Sequence, residues 1–176
     1  MNEQQRMLAD IVERLFPGIA AQQRGHGARG DFTGAWNRVR ELGIADVLVP
    51  EEAGGFGGNW QDAAVVMHAC GQHALPLPVG ETLVARRLLC GTDIAAPPEA
   101  AISMAACAEA TVAEGGVTLR LPGVPWGGGE TCVLTAFEHE GTEYLALYDT
   151  AAASQRRARD SAGSEPRFDL VLDASR

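Results

Sequence analysis

No lysine occurs in this chain; all 14 basic residues are arginine. That excludes a Schiff-base nucleophile and the lysine of a Walker phosphate loop. Long apolar runs are missing too, since none approaches the roughly 20 residues that span a bilayer. The opening segment MNEQQRMLADIVERLF is charged throughout and has no apolar centre, unlike a signal peptide. The four cysteines, Cys70, Cys90, Cys107 and Cys132, form neither a CxxC pair nor a disulfide framework. They read as reduced, mostly buried thiols of a cytoplasmic protein. Positive charge is in deficit: a net charge of −9 argues against nucleic acid or an anionic membrane as partner. A metal set is not expected either. His68, Cys70 and His73 share one helical segment, but at helical pitch the two histidines point about 140° apart, whereas neighbouring ligands on a helix want i,i+3 or i,i+4 spacing.

What is present is a normal globular composition, 46% apolar over 176 residues, enough for one ordinary domain or two small ones. Met7, Leu8, Ile11, Val12 and Leu15 recur at helical spacing, which predicts an amphipathic helix from Asn2 to Phe16 ended by Pro17-Gly18. Residues Ala21 to Gly30 are polar and glycine-rich and read as a loop. Asp31 is placed to cap a second helix carrying Trp36, Val39 and Leu42, with Gly43 as its stop. A short apolar run, Ile44 to Val49, ends at Pro50. Asn59 and Asp62 form a capping-box variant that starts a third helix with Ala63, Val66, Met67 and Cys70 on its apolar stripe. Pro76 and Pro78 break it, and a fourth helix runs from Val79 to Cys90 with Leu83, Val84 and Leu88.

After Gly91 the pattern changes. Alternating segments at Ala101–Cys107, Val117–Leu121, Thr131–Phe137, Glu143–Tyr148 and Phe168–Leu172 predict strands, and Ser154–Pro166 reads as a charged surface loop. Most of the acidic excess lies in this half. The expected fold class is α+β: an all-α helical domain over 1–92, then a reduced antiparallel β-barrel or sheet domain over 93–176.

Three features invite a chemical reading. The loop Pro50-Glu51-Glu52-Ala53-Gly54-Gly55-Phe56-Gly57-Gly58 is glycine-dense, yet it fits neither GxGxxG nor a Walker loop, and its two glutamates repel anions. It reads as a tight turn between helices. Ser103, Ser161 and Ser164 have no nucleophile elbow around them. Trp126, in Pro125-Trp126-Gly127-Gly128-Gly129, either presents its indole to a flat ligand or is a buried barrel tryptophan.

Taken as one unit, Trp36 to Leu89 resembles the N-terminal helical domain of the acyl-CoA dehydrogenases. Glu41-Leu42-Gly43, Pro50-Glu51-Glu52 and Gly54-Gly55-Phe56-Gly57 match that family's "ELG … PEE.GG.G" pattern in register. The strands beyond are similar to the start of the family's middle β-domain, with Gly163-Ser164-Glu165-Pro166 at a common turn. The resemblance implies FAD as cofactor, an acyl-CoA substrate, and α,β-dehydrogenation in which a base takes the α-proton and the flavin takes the β-hydride. It implies cofactor-binding roles for Trp126 and Ser103, and no catalytic residue within the chain. The family's catalytic glutamate and C-terminal helical bundle would lie beyond Arg176. The stretch AISMAACAEATVAEGGVTLRLPGVPWGG departs from the family's "TEP..GSD" and "W-I-T" segments, keeping only Trp126. The implied partners are homo- or hetero-oligomers with acyl-CoA dehydrogenase-like subunits. The competing expectation is a non-catalytic scaffold subunit, because some family members pair with a subunit type that has lost its flavin site. A remnant without function ranks third.

Overall fold

A computed structural model describes residues 1–26, 31–161 and 165–175, which divide into two compact units, Met1–Ala95 and Ala96–Arg176. The first holds α1 (Glu3–His26), α2 (Phe32–Glu41), α3 (Trp60–Gln72) and α4 (Val79–Leu89). The second holds β1 (Ala101–Met104), β2 (Glu109–Ala113), β3 (Gly116–Pro125), β4 (Thr131–His139), β5 (Thr142–Asp149), β6 (Gln155–Arg159) and β7 (Arg167–Ser175). The α+β class expected from the sequence is what the chain forms.

Helix α1 does not stop at Pro17. It continues through the proline to His26, so the loop expected from Ala21 onward is helical as far as it is described. The reason is packing: Val12, Phe16, Ile19 and Ala20 are all buried, a stripe at i, i+4, i+7 and i+8 that straddles the proline. Pro17 itself faces solvent. The expected stripe is partly wrong in consequence, because Met7 and Ile11 lie on the exposed side.

Capping residues behave as their types require. Asp31 accepts from the Gly34 amide at 2.8 Å, and Gly43 follows α2 in the left-handed region. Asn59 accepts from Gln61 and Asp62 while Asp62 Oδ2 accepts from the Asn59 amide at 2.8 Å, a complete capping box. The other oxygen of that buried carboxylate accepts from Gln5 Nε2 at 3.1 Å. Gln5 in turn exchanges two hydrogen bonds with Asn2 at the start of α1. One polar network therefore caps α1 and α3 together.

The glycine loop is folded on itself. The amides of Gly54, Gly55, Phe56, Gly57 and Gly58 donate to the carbonyls of Glu51, Pro50, Asp46, Val49 and Val47. No amide of that run is left to cradle an anion. At Gly55 the Val49 carbonyl passes where a Cβ would stand, so only glycine fits.

The strands form two sheets. One has the order β1-β4-β5, with β1 parallel to β4 and β4 antiparallel to β5; the other is antiparallel with the order β2-β3-β7-β6. Among the described residues they do not close into a barrel. The parallel pair corrects the expectation of purely antiparallel pairing. Between β1 and β4 the chain runs out through the β2–β3 hairpin of the other sheet, so β4 returns in the direction of β1. Leu119, Leu121, Val124, Val133, Leu170 and Leu172 make the core between them. Two strands are additional to those expected. β2 is short and only partly buried, and β6, five exposed residues QRRAR on a sheet edge, occupies part of the expected loop Ser154–Pro166. The turn expected at Gly163-Ser164-Glu165-Pro166 lies largely outside the described residues.

Candidate functional site

Trp126 sits at the end of β3, where the chain turns toward β4. Its φ of 57° is in the left-handed region, a conformation that costs a non-glycine residue on the order of 1 kcal/mol. The backbone is held there by several contacts. The Trp126 amide donates to the Pro166 carbonyl at 2.8 Å, and the Trp126 carbonyl accepts from Thr131 Oγ1 at 2.9 Å. The Thr131 carbonyl accepts from Thr150 Oγ1 at 2.6 Å, and the Thr150 carbonyl accepts from Arg156 Nη2 at 2.6 Å. Thr131 and Thr150 are buried. A line of hydrogen bonds thus runs from the β6 edge to the tryptophan.

The glycines that follow remove bulk from around the indole. A Cβ on Gly127 would stand 3.2 to 3.3 Å from Val124, Phe168 and Leu170, so the backbone is pressed against β3 and β7. The Arg156 guanidinium covers Gly129 from the other side. Trp126 is half-buried, and the Glu130 carboxylate reaches over Gly128.

Ser103, the second residue expected to bind the cofactor, lies on β1 opposite Val133. Paired residues share a sheet face, and Val133 belongs to the core, so the Ser103 hydroxyl points inward. It is fully buried, and neither its Oγ nor Thr135 Oγ1 on β4 has a hydrogen-bond partner. The two expected residues belong to different sheets, Ser103 to β1 and Trp126 to the turn that follows β3. Thr131, which holds Trp126, pairs with Ala101, two residues before Ser103. On β5, opposite Val133, burial raises the Tyr148 phenol above its ordinary range, and the nearby Cys107 adds to the shift.

A flavin ring wants a flat apolar wall and several converging polar groups for its edge. In this unit the half-buried Trp126 is the aromatic side chain of the turn after β3. The hydroxyls of Thr131 and Thr150 already donate to carbonyls, and that of Ser103 faces the core. The described residues therefore do not make a complete flavin site on their own.

In the helical unit, an apolar groove of about 570 Å³ runs between the first turns of α1 and the segment after α2. Met7, Leu8, Ile11, Leu42, Ile44, Val47 and Phe56 line it. Met7, Leu42 and Phe56 are each about half exposed or more, at 62%, 49% and 54%. His73 does not face His68 or Cys70; its Nε2 meets Glu13 Oε2 at 3.0 Å and ties α3 to α1. No group of three metal-ligating side chains occurs among the described residues. Nor, among them, is any helix long and apolar enough to cross a membrane.

The family model described as the N-terminal domain of acyl-CoA dehydrogenase matches residues 2–96. The chain belongs to the acyl-CoA dehydrogenase family. Similar curated proteins are two acyl-CoA dehydrogenases named IpdE2. The one from Mycobacterium tuberculosis is 36% identical over 104 residues, which is 56% of this chain and 31% of that protein. The one from Mycolicibacterium smegmatis is 34% identical over 95 residues, or 51% and 30%. Among solved structures, the ChsE4-ChsE5 complex from Mycobacterium tuberculosis matches with a TM-score of 0.73 at 17% identity, covering 99% of this chain and 55% of that one. A variant of the Tcur3481-Tcur3483 steroid ACAD matches with a TM-score of 0.71 at 21% identity, covering 98% and 55%. At these identities the structural likeness speaks to fold alone. The chain spans about 30% of the length of the curated relatives and 55% of these solved chains.

Proposed function

We propose that this chain acts as one part of a flavin-dependent acyl-CoA dehydrogenase assembly, catalysing α,β-dehydrogenation of an acyl-CoA together with acyl-CoA dehydrogenase-like subunits. The observation that carries this reading is the pairing of a family-matched helical unit with a β-unit that offers an aromatic side chain at Trp126 but too few converging polar groups. A similar solved structure described as a complex of two proteins, ChsE4-ChsE5, supports a heteromeric arrangement. In that assembly Trp126 is this chain's contribution beside the flavin. The apolar groove in the helical unit is the kind of surface that an assembled partner covers. The described cysteines are free thiols, in keeping with a cytoplasmic setting.

The visible spectrum tests the proposal. The purified chain, titrated with FAD and desalted, should stay colourless, whereas co-purification with a flavin-bearing family subunit should give a coloured complex that bleaches on adding acyl-CoA. A flavin band near one per chain in the isolated protein would overturn the shared-site reading. A complex that never bleaches would overturn the dehydrogenase reading. A second reading, a non-catalytic scaffold, is favoured by the occupied hydroxyls around Trp126. It predicts that Trp126→Ala leaves turnover by the complex unchanged, whereas the shared-site reading predicts a loss.

A further inference from the structure

We infer that Thr131, Thr150 and Arg156 are positioning residues, which hold the Trp126 turn in its left-handed conformation and thereby fix the direction in which the indole points. This deepens the reading of Trp126 given above and rests on it for its functional meaning, though not for its geometry. A non-glycine residue with φ near 57° is retained only where its surroundings over-determine the backbone. Here the carbonyl of the strained residue is taken by Thr131 Oγ1 at 2.9 Å. That threonine is itself tied through its own carbonyl to Thr150 Oγ1 at 2.6 Å. The far end is anchored by Arg156, whose Nη2 donates to the Thr150 carbonyl at 2.6 Å while the same guanidinium lies over Gly129. Arg156 therefore touches the turn twice, once through the threonines and once directly.

The arrangement is more than packing. Thr131 and Thr150 are buried at 3% and 0% exposure, so each hydroxyl needs a partner inside the protein, and each has been given a carbonyl leading one step nearer to Trp126. Thr135, on the same strand and equally buried, has no partner for its hydroxyl and makes no such link. A threonine in β4 thus belongs to the line only when its hydroxyl reaches the turn. The hydrogen-bonded line constrains the backbone from which the indole springs.

The test uses the full chain with 5-fluorotryptophan at its three tryptophans, read by fluorine NMR, with the Trp126 signal assigned by its loss in Trp126→Phe. Wild type should give a single narrow Trp126 line. Thr131→Val, which keeps shape and removes the hydroxyl, should shift or split that line by more than its width and leave the Trp36 and Trp60 lines in place. Thr131→Ser should restore it. Arg156→Met, at an exposed residue that leaves the core intact, should move the line in the same direction. Thr135→Val is the control and should leave it unmoved. An unmoved Trp126 line in both Thr131→Val and Arg156→Met would overturn the inference, and so would an equal displacement in Thr135→Val. If the line responds as expected while Trp126→Phe leaves flavin retention and turnover by the assembled complex untouched, the functional reading of Trp126 fails and the positioning line stands.

Discussion

Two cysteines of the helical unit show how far burial separates chemically identical side chains. Burial pushes the Cys70 thiol from its ordinary 9.0 up to about 12, with the charge of Glu81 adding to the effect. Cys90, at the end of α4, is exposed and its Sγ donates to the Arg86 carbonyl at 3.1 Å. Since the thiolate is the reactive form, a thiol reagent at mild alkaline pH should label Cys90 at once and Cys70 only on unfolding, as mass spectrometry of the native and denatured protein would show. The linkage has a definite sign. The folded state holds the Cys70 proton more tightly than the unfolded chain, so this contribution to stability is complete below pH 9 and is lost between pH 9 and about 12. Denaturant midpoints should fall over that range, and less so in Cys70→Ala. At this scale the site was half legible. Trp126 stands out in the sequence because glycines surround it, whereas nothing in local spacing connects residue 126 with 131, 150 and 156. That connection exists only after β4 and β5 have paired and β6 has docked on β7.

Whole elements were easiest to read where a single face is buried and hardest where tertiary packing overrides a local rule. Asp31, Gly43, Asn59 and Asp62 announce helix ends by chemistry that works within one turn, and they stand where that chemistry puts them. Pro17 is the opposite case. It removes a hydrogen bond and crowds the preceding turn, yet Phe16, Ile19 and Ala20 are buried on both sides of it, and the helix persists. Replacing Pro17 with Ala should therefore stabilise the helical unit by roughly 1–3 kcal/mol, raising its denaturant midpoint. A lowered midpoint would mean that the fold needs the bend that the ring imposes. Strand β6 escaped notice for another reason: Gln155–Arg159 has no apolar alternation because both faces meet solvent. Three arginines on an edge strand are also what keeps such an edge from pairing with other chains.

For the molecule as a whole, the register of Glu41-Leu42-Gly43 with Pro50-Glu51-Glu52 and the glycine loop was enough to indicate the family, because those residues set one turn geometry. The groove was hidden in the same letters. Met7, Ile11 and Leu42 sit at positions where helical periodicity predicts core, and the structure exposes them. Isolated exposed apolar residues are ordinary, whereas a contiguous apolar groove is the kind of surface that binds a partner or a ligand. The double substitution Leu42→Ser and Phe56→Ser should weaken association with a family partner in sedimentation experiments by at least tenfold, about 1.4 kcal/mol. The helical circular dichroism should not change. Undiminished association would mean that the groove is not the contact surface.

The network that caps α1 and α3 has a consequence for how the helical unit comes apart. Asn2, Gln5, Asn59 and Asp62 close the first turns of two helices more than fifty positions apart in sequence with one set of bonds. Helix ends ordinarily fray alone, each on its own clock. Here the clocks are geared together: loosening the start of α1 takes the Gln5 amide from Asp62 and leaves a buried carboxylate with only the Asn59 amide, so the start of α3 is weakened in the same event. Residues at the start of α1 thereby share their opening with the start of a helix distant in sequence.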